Sequence, residues 1–411
     1  MRKYQNIIIG ICCVIIFLSK TSCIKKYDSG VNVPAKGYLV VEGYINSDGG
    51  STTIYLSRAQ ALSDTAKVVR ERKAQVSIEG DNNTSYPLTE TNPGLYISAP
   101  VSLNKSSHYR IHIKTSTVQE YNSDYSSVRS TPAIDSVFWT RDNSRGVSFY
   151  VNTHDAQNST RYYMWKWNET WEYHAPIQSN MKFTFGPGGF ISKAVFTYTN
   201  QITDSSLYVC YHNDSSTNIV ISSSEKLEQD VIQSAPLELV IPPGNEKLSV
   251  LFSLNVKEYA ISKNAYQFYQ LMKKNTEHLG SIFDAQPSQV TGNVHSVSDS
   301  TEKVIGFVEV SQEVQKRIFV SITDVPNWGY SNECIFPGKE SSNDSTRLNN
   351  IVETFHTPLG IISTSFLPTG PDYMFGFNPS TGLPNVVKLG DIYCVDCKLK
   401  GGTILRPPFW P

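Results

Sequence analysis

Cys394 and Cys397 stand three apart in the C-terminal stretch GDIYCVDCKLKGG, a spacing that suits three chemistries. Tetrahedral zinc accepts four thiolates, with CxxC as a usual half-site. A CxxC at a helix start makes a redox centre, because the helix dipole lowers the thiol pKa. In an oxidising compartment the same residues become structural disulfides. Zinc sites usually bring two close pairs, whereas the other candidate thiols, Cys210 and Cys334, stand alone. The flanks of the CxxC read as strand or turn and not as a helix start. Disulfides are therefore the favoured reading, in one of three connectivities. Long-range pairs with Cys210 and Cys334 are preferred to a Cys394–Cys397 bond, whose short ring would be strained.

That reading needs an extracytoplasmic location, which the other end of the chain predicts. MRKYQ, then IIIGICCVIIFL, then SKTSC gives a positive start, a short apolar run and a small-residue end, the plan of a secretory signal over residues 1–22. The run falls short of the ~20 apolar residues that a membrane-spanning helix needs. Thr21-Ser22-Cys23 has the look of a lipobox, in which Cys23 is diacylated and becomes the first mature residue, although Lys20 stands where an aliphatic residue is usual. Ordinary signal cleavage, with Cys23 spare, is the alternative. Residues 23–36 read as a flexible tether, and a lipid at Cys23 would hold the body at a membrane without a spanning helix.

Other chemistry is sparse. GxSxG, HExxH, Walker and GxGxxG patterns are lacking, and the eight histidines are scattered. His108 and His112 share a face of HYRIHIKT with Arg110 between them, which suits solvent better than a metal. Asp284 and Asp391 are the acids that could pair in space, with structural roles the better reading. Asn293 is expected in a tight turn beside Gly292. A net charge of −1 with 18% charged residues argues against a nucleic-acid footprint. The sequence thus predicts no catalytic residue, no metal site and no cofactor.

The elements that must position these residues read as strands. Tyr, Phe and Trp number 23, 18 and 6, among many Ser, Thr and Asn, as suits a β-rich extracytoplasmic protein. Such a length exceeds one core, so two or three domains are expected. Residues 37–132 alternate as seven or so short strands separated by turn signals, an Ig-like or transthyretin-like sandwich resembling carboxypeptidase-regulatory modules. Thr131-Pro132-Ala133 marks a boundary. Residues 133–411 begin a larger, fibronectin-like sandwich. In it Tyr162, Tyr163, Trp165, Trp167, Trp171 and Tyr173 form either packed core or a stacking platform. One helix is expected over 262–278, with Ser262 as N-cap. KVIGFVEVS and QKRIFVSI are expected as a final strand pair. Residues 326–384 carry few strand signals. Their aromatics, among them Trp328, Tyr330, Tyr373, Phe375 and Phe377, are candidate interface anchors. The fold class is all-β, with one helix and a long C-terminal loop insertion.

Several stretches together, GYLVVEGYINSDGG…IYLSR, CYHNDSSTNIVISSSEKLEQD, SKNAYQFYQLMKKNTEHLGSIFDAQPSQVTGNV and CVDCKLKGGT…PPFW, resemble the Bacteroidetes DUF4249 proteins over essentially the whole mature chain. The resemblance implies a lipoprotein anchor, an N-terminal Ig-like domain and a genetic setting beside TonB-dependent outer-membrane receptors. It brings no established activity, so no catalytic residue is carried over. The expectation is an outer-membrane lipoprotein, its facing side open, that partners a TonB-dependent transporter. A structural or adhesive surface protein is the alternative, and a hydrolase on a β-scaffold a third reading.

Overall fold

The computed structural model describes residues 37–59, 68–178, 181–185, 191–196, 207–277, 292–331, 334, 339–341, 366–371 and 386–411. Cys23, the signal and tether segments, Asp284, Tyr373, Phe375 and Phe377 lie outside these residues.

The chain is mostly β. It opens with β1 (Leu39–Asn46), β2 (Thr53–Arg58), β3 (Val69–Arg70), β4 (Gln75–Gly80), β5 (Ser85–Asn92), β6 (Leu95–Ser98), β7 (His108–Lys114), β8 (Glu120–Ser123) and β9 (Ser126–Ser127). Alternation places one side of each main strand inward: Leu39, Val41 and Ile45 of β1, Ile54 and Leu56 of β2, Tyr109, Ile111 and Ile113 of β7. Gly43 lets β1 hug β2, since a Cβ there would lie 2.3 Å from the Thr53 carbonyl oxygen.

A second unit follows with β10 (Ile134–Asp142), β11 (Gly146–Asp155), β12 (Tyr162–His174), β13 (Met181–Phe185), β14 (Ile191–Phe196), β15 (Val209–Ser215), β16 (Val220–Ser223), β17 (Asp230–Ile241) and β18 (Leu251–Ala260). β10-β11-β17 form one sheet, which faces a second sheet built on β12 and β18. Between them Phe149, Val151, Tyr163, Trp165, Trp167, Phe252, Leu254 and Val256 are buried. Odd-numbered aromatics of β12 therefore make core, and the platform reading falls. Trp171, on the same face, packs against this core and against a smaller cluster around Tyr173.

Helix α1 (Lys263–Glu277) comes next, one residue inside the expected range at each end. The Ser262 hydroxyl accepts the Ala265 N–H at 3.0 Å, and Ala265 and Phe268 are buried. The chain then runs through β19 (Val294–Ser296), β20 (Val304–Gly306), β21 (Val310–Ser311) and β22 (Glu313–Ser321). The strand-pair expectation fails here. β20 and β21 join β1 in parallel, β19 joins β8, and only β22 pairs with β18. The first sheet thus runs β19-β8-β7-β4-β5-β6-β2-β1-β20 and curls into a nearly closed barrel. Its seam is tied by Asn293, buried, whose amide donates to the Val308 carbonyl and accepts the Val308 N–H, both at 2.8 Å. Asn293 is a seam bridge and not merely a turn residue. Strands β19 to β21, from later in the chain, thus complete the first sheet.

The C-terminal stretch supplies β23 (Lys339–Ser341), β24 (Phe366–Pro371) and β25 (Val386–Asp391), a three-stranded sheet ordered β23-β25-β24, then the short helix α2 (Ile392–Val395). Strands occur where an irregular segment was expected. Among the described residues no helix is long and apolar enough to cross a membrane.

Candidate docking surface at the disulfide-fastened C-terminus

Two disulfides fasten the last part of the chain. Cys210 of β15 bonds Cys397 across 187 residues, and Cys334 bonds Cys394 across 60. The pairs are long-range, as preferred from the spacing, and each CxxC cysteine takes a separate partner. Backbone bonds continue the seam: Ile177 N–H to the Cys394 carbonyl at 2.9 Å, and Cys397 N–H to the Leu207 carbonyl at 2.8 Å. Tyr211 and Thr403 exchange N–H···O bonds at 2.7 and 2.9 Å.

Trp410 anchors the far end of the tail. It is buried, with its ring edge-on to Tyr211 and Phe319, and its indole N–H donates to the Glu172 carboxylate at 2.9 Å. His174 lies 2.6 Å from Glu172, and that contact, with the indole, holds the Glu172 carboxyl below its usual range. Phe409 covers the Arg317 guanidinium at 3.5 Å. Lys400 sits over the Tyr173 ring at 4.6 Å and 3.7 Å from Glu246. His212 stacks on Trp171 at 5.2 Å, and burial lowers its pKa. The tail is fixed by covalent, backbone and ring contacts together.

On this rigid support, apolar side chains face outward. Leu405 is 75% exposed, Ile404 45%, Leu399 43% and Phe409 40%, with Lys398, Lys400 and Arg406 interspersed. Exposed apolar groups held in a fixed array beside polar ones have the make-up of a protein-docking surface.

The anchors expected from sequence are placed differently. Trp328 is 3% exposed, and its indole N–H donates to the Asn245 carbonyl at 2.8 Å. Tyr330 is half-buried between two core clusters. Trp328 is corrected from interface to core, while Tyr330 packs at the edge of the core. The cause is local: Asn327 and Gly329 take φ of 57° and 80°, and the turn folds Trp328 inward. Nothing in composition marks that reversal. The tail ILRPPFW was legible as apolar, yet without its covalent support it read as a simple stapled end.

His108 lies 2.9 Å from Asp81, and His112 3.4 Å from Glu79, which also holds Arg110 at 2.8 Å. These are surface pairs. Among the described residues no group of three or more His, Cys, Asp or Glu side chains is arranged to hold a metal. Several largely buried acids went unnoticed in the sequence. Glu258 is fully buried and accepts from the Trp165 indole at 2.7 Å and the Thr153 hydroxyl at 2.8 Å; burial pushes its carboxyl up to about 7. Asp230 accepts from Tyr163 and Ser224. Glu313 accepts from Tyr44 of the barrel and, at 2.6 Å, from Tyr259 of the sandwich, with Lys257 at 3.5 Å. Polar strand positions in a β-protein give no sign of which face they occupy until the sheets are stacked.

Fold and surface together define an all-β, disulfide-stapled protein that presents an apolar tail. Residues 24–317 match the family model described as Domain of unknown function (DUF4249), and the chain belongs to this family. The matched range stops short of residues 318–411, so the fastened tail lies outside it, whereas the resemblance read from sequence extended to the C-terminus. No curated protein matches the chain. Among solved structures, chitinase ChiA74 from Bacillus thuringiensis is similar at 12% identity, over 50% of this chain and 26% of its own, with a TM-score of 0.16. That score carries no inference.

Proposed function

We propose that this protein is an outer-membrane-anchored accessory lipoprotein that docks on a TonB-dependent transporter in nutrient capture or uptake. The observation that carries the reading is the apolar tail: Leu399, Ile404, Leu405 and Phe409 are exposed on a doubly stapled support. Its location adds to this. The barrel joins the sandwich at the Tyr162 end of β12, where the Ser262 N–H meets the Glu309 carboxylate at 2.8 Å and Tyr44 meets Glu313. The tail packs at the other end, against Trp171–His174. Thirteen strand residues separate the two ends, about 40 Å at the usual rise per residue. A lipid at Cys23 would hold the barrel to the membrane and leave the tail far from the tether, free to meet a partner.

Affinity purification of the tagged chain from outer membrane, with bound proteins identified by mass spectrometry, tests the proposal. A transporter barrel in stoichiometric yield is expected. Its absence, with a growth phenotype limited to surface attachment, would instead favour an adhesive role.

A further inference from the structure

We infer that the barrel end beside the tether is a membrane-contact surface that reads anionic phospholipid headgroups. This rests on the lipid anchor proposed above. The geometry begins with register: Leu39 pairs with Arg58, and Arg58 with Val69, while the Ala59 N–H meets the Tyr38 carbonyl at 2.8 Å. Val68 and Val69 therefore lie two strands from the point where the chain enters the barrel, about 10 Å away at ordinary strand spacing. They are 60% and 47% exposed.

Beside them the sequence reads Arg70-Glu71-Arg72-Lys73, with all three cations exposed. Its one acid is spent inward, because Glu71 pairs with the buried Arg58 at 2.6 Å. The nearby Glu90 accepts from the backbone N–H groups of Lys73 and Gly94, at 2.9 and 3.0 Å, and its charge offsets part of that of Arg72 and Lys73. Among the described residues Arg70, Arg72 and Lys73 form no ion pair. Two exposed valines among three exposed cations, with a net charge of about +2 once Glu90 is counted, match an anionic interface, where each net positive charge favours binding by about fivefold and two together by on the order of thirtyfold.

The tether makes such a modest surface effective. Fourteen residues run from Cys23 to Lys36, and a flexible linker of that length would average about 20 Å end to end. An intramolecular encounter at that range proceeds at an effective concentration in the millimolar regime. The barrel end is thereby turned to the bilayer and the distal tail away from it.

The test couples the mature chain through the Cys23 thiol to a maleimide lipid in vesicles and follows amide hydrogen exchange. On vesicles rich in phosphatidylglycerol, exchange across residues 68–73 is expected to slow by roughly tenfold or more relative to phosphatidylcholine vesicles. R70Q/R72Q should remove the difference, and V68S/V69S should reduce it. Equal exchange on both lipids, or slowing across residues 399–409 in place of 68–73, would overturn the inference. Chemical coupling supplies the lipid whether or not the cell acylates Cys23. Labelling cells with a palmitate analogue, in wild type and Cys23→Ala, reports separately on the anchor.

Discussion

Glu258 shows how one side chain can set the pH response of the fold. Its carboxyl titrates near 7 in the folded chain because it is fully buried, with Asp135 and Asp230 adding negative potential; the ordinary value is 4.5. Between these values the folded chain keeps a proton that the unfolded chain has lost. Stability from this group is therefore greatest below the ordinary value and falls as pH rises toward 7, by up to about 3 kcal/mol. Glu258→Gln should flatten that fall and raise Tm at pH 8, as read by calorimetry from pH 4 to 8. The amide keeps one acceptor for the Trp165 indole, and the Thr153 hydroxyl can turn to accept from the new NH2. A second contrast separates core from surface. Trp328→Ala should cost about 3–5 kcal/mol as a core truncation, whereas Leu405→Asp, at a position 75% exposed, should leave Tm nearly unchanged. At this scale the sequence was a mixed guide. That the CxxC cysteines pair at long range was legible, because a Cys394–Cys397 ring would be strained, but which of the two long-range connectivities forms was not. Trp328 was not, because composition cannot tell an aromatic folded inward by a positive-φ turn from one aimed at solvent. Whether Tyr373, Phe375 and Phe377 act as anchors stays with the proposal.

Among the elements, the helix was the most legible, since Ser262 and the spacing of Ala265 and Phe268 act within single turns. Strand existence was legible too, but strand partnership was not. β20 to β22 are consecutive in the chain, yet two enter the barrel and one the sandwich. Local periodicity carries no record of which sheet a strand joins. The disulfides act at this scale. In the chain-entropy model, loops of 187 and 60 residues each restrict the unfolded chain by about 4–5 kcal/mol, though nested loops do not simply add. Peptide mapping without reductant should yield Cys210–Cys397 and Cys334–Cys394 fragments, and Cys210→Ser should lower stability by about 2–5 kcal/mol. A Cys394–Cys397 fragment would reject this pairing. The junction between units has its own test. Glu313 is shared by Tyr44 and Tyr259, so Tyr44→Phe should loosen the barrel against the sandwich. Faster amide exchange at Ile45, whose N–H bonds the Glu309 carbonyl at 2.7 Å, with near-unchanged exchange in the β12 core, is the expected signature.

For the molecule as a whole, the proposed anchor at Cys23 would make the barrel the membrane end, with the sandwich between it and the stapled apolar tail. The tail lies outside the range matched to the family, so the proposed docking role is argued from this chain's own C-terminus. The most direct measurement is quantitative co-purification from outer membrane of the wild-type chain and of Leu405→Asp combined with Ile404→Ser. Tm and the disulfide map serve as controls for an intact fold. The predicted result is a transporter barrel recovered with the wild type and reduced at least about tenfold with the variant, as expected when central apolar anchors are lost, at unchanged Tm. A barrel recovered equally with both, or with neither, would contradict the account.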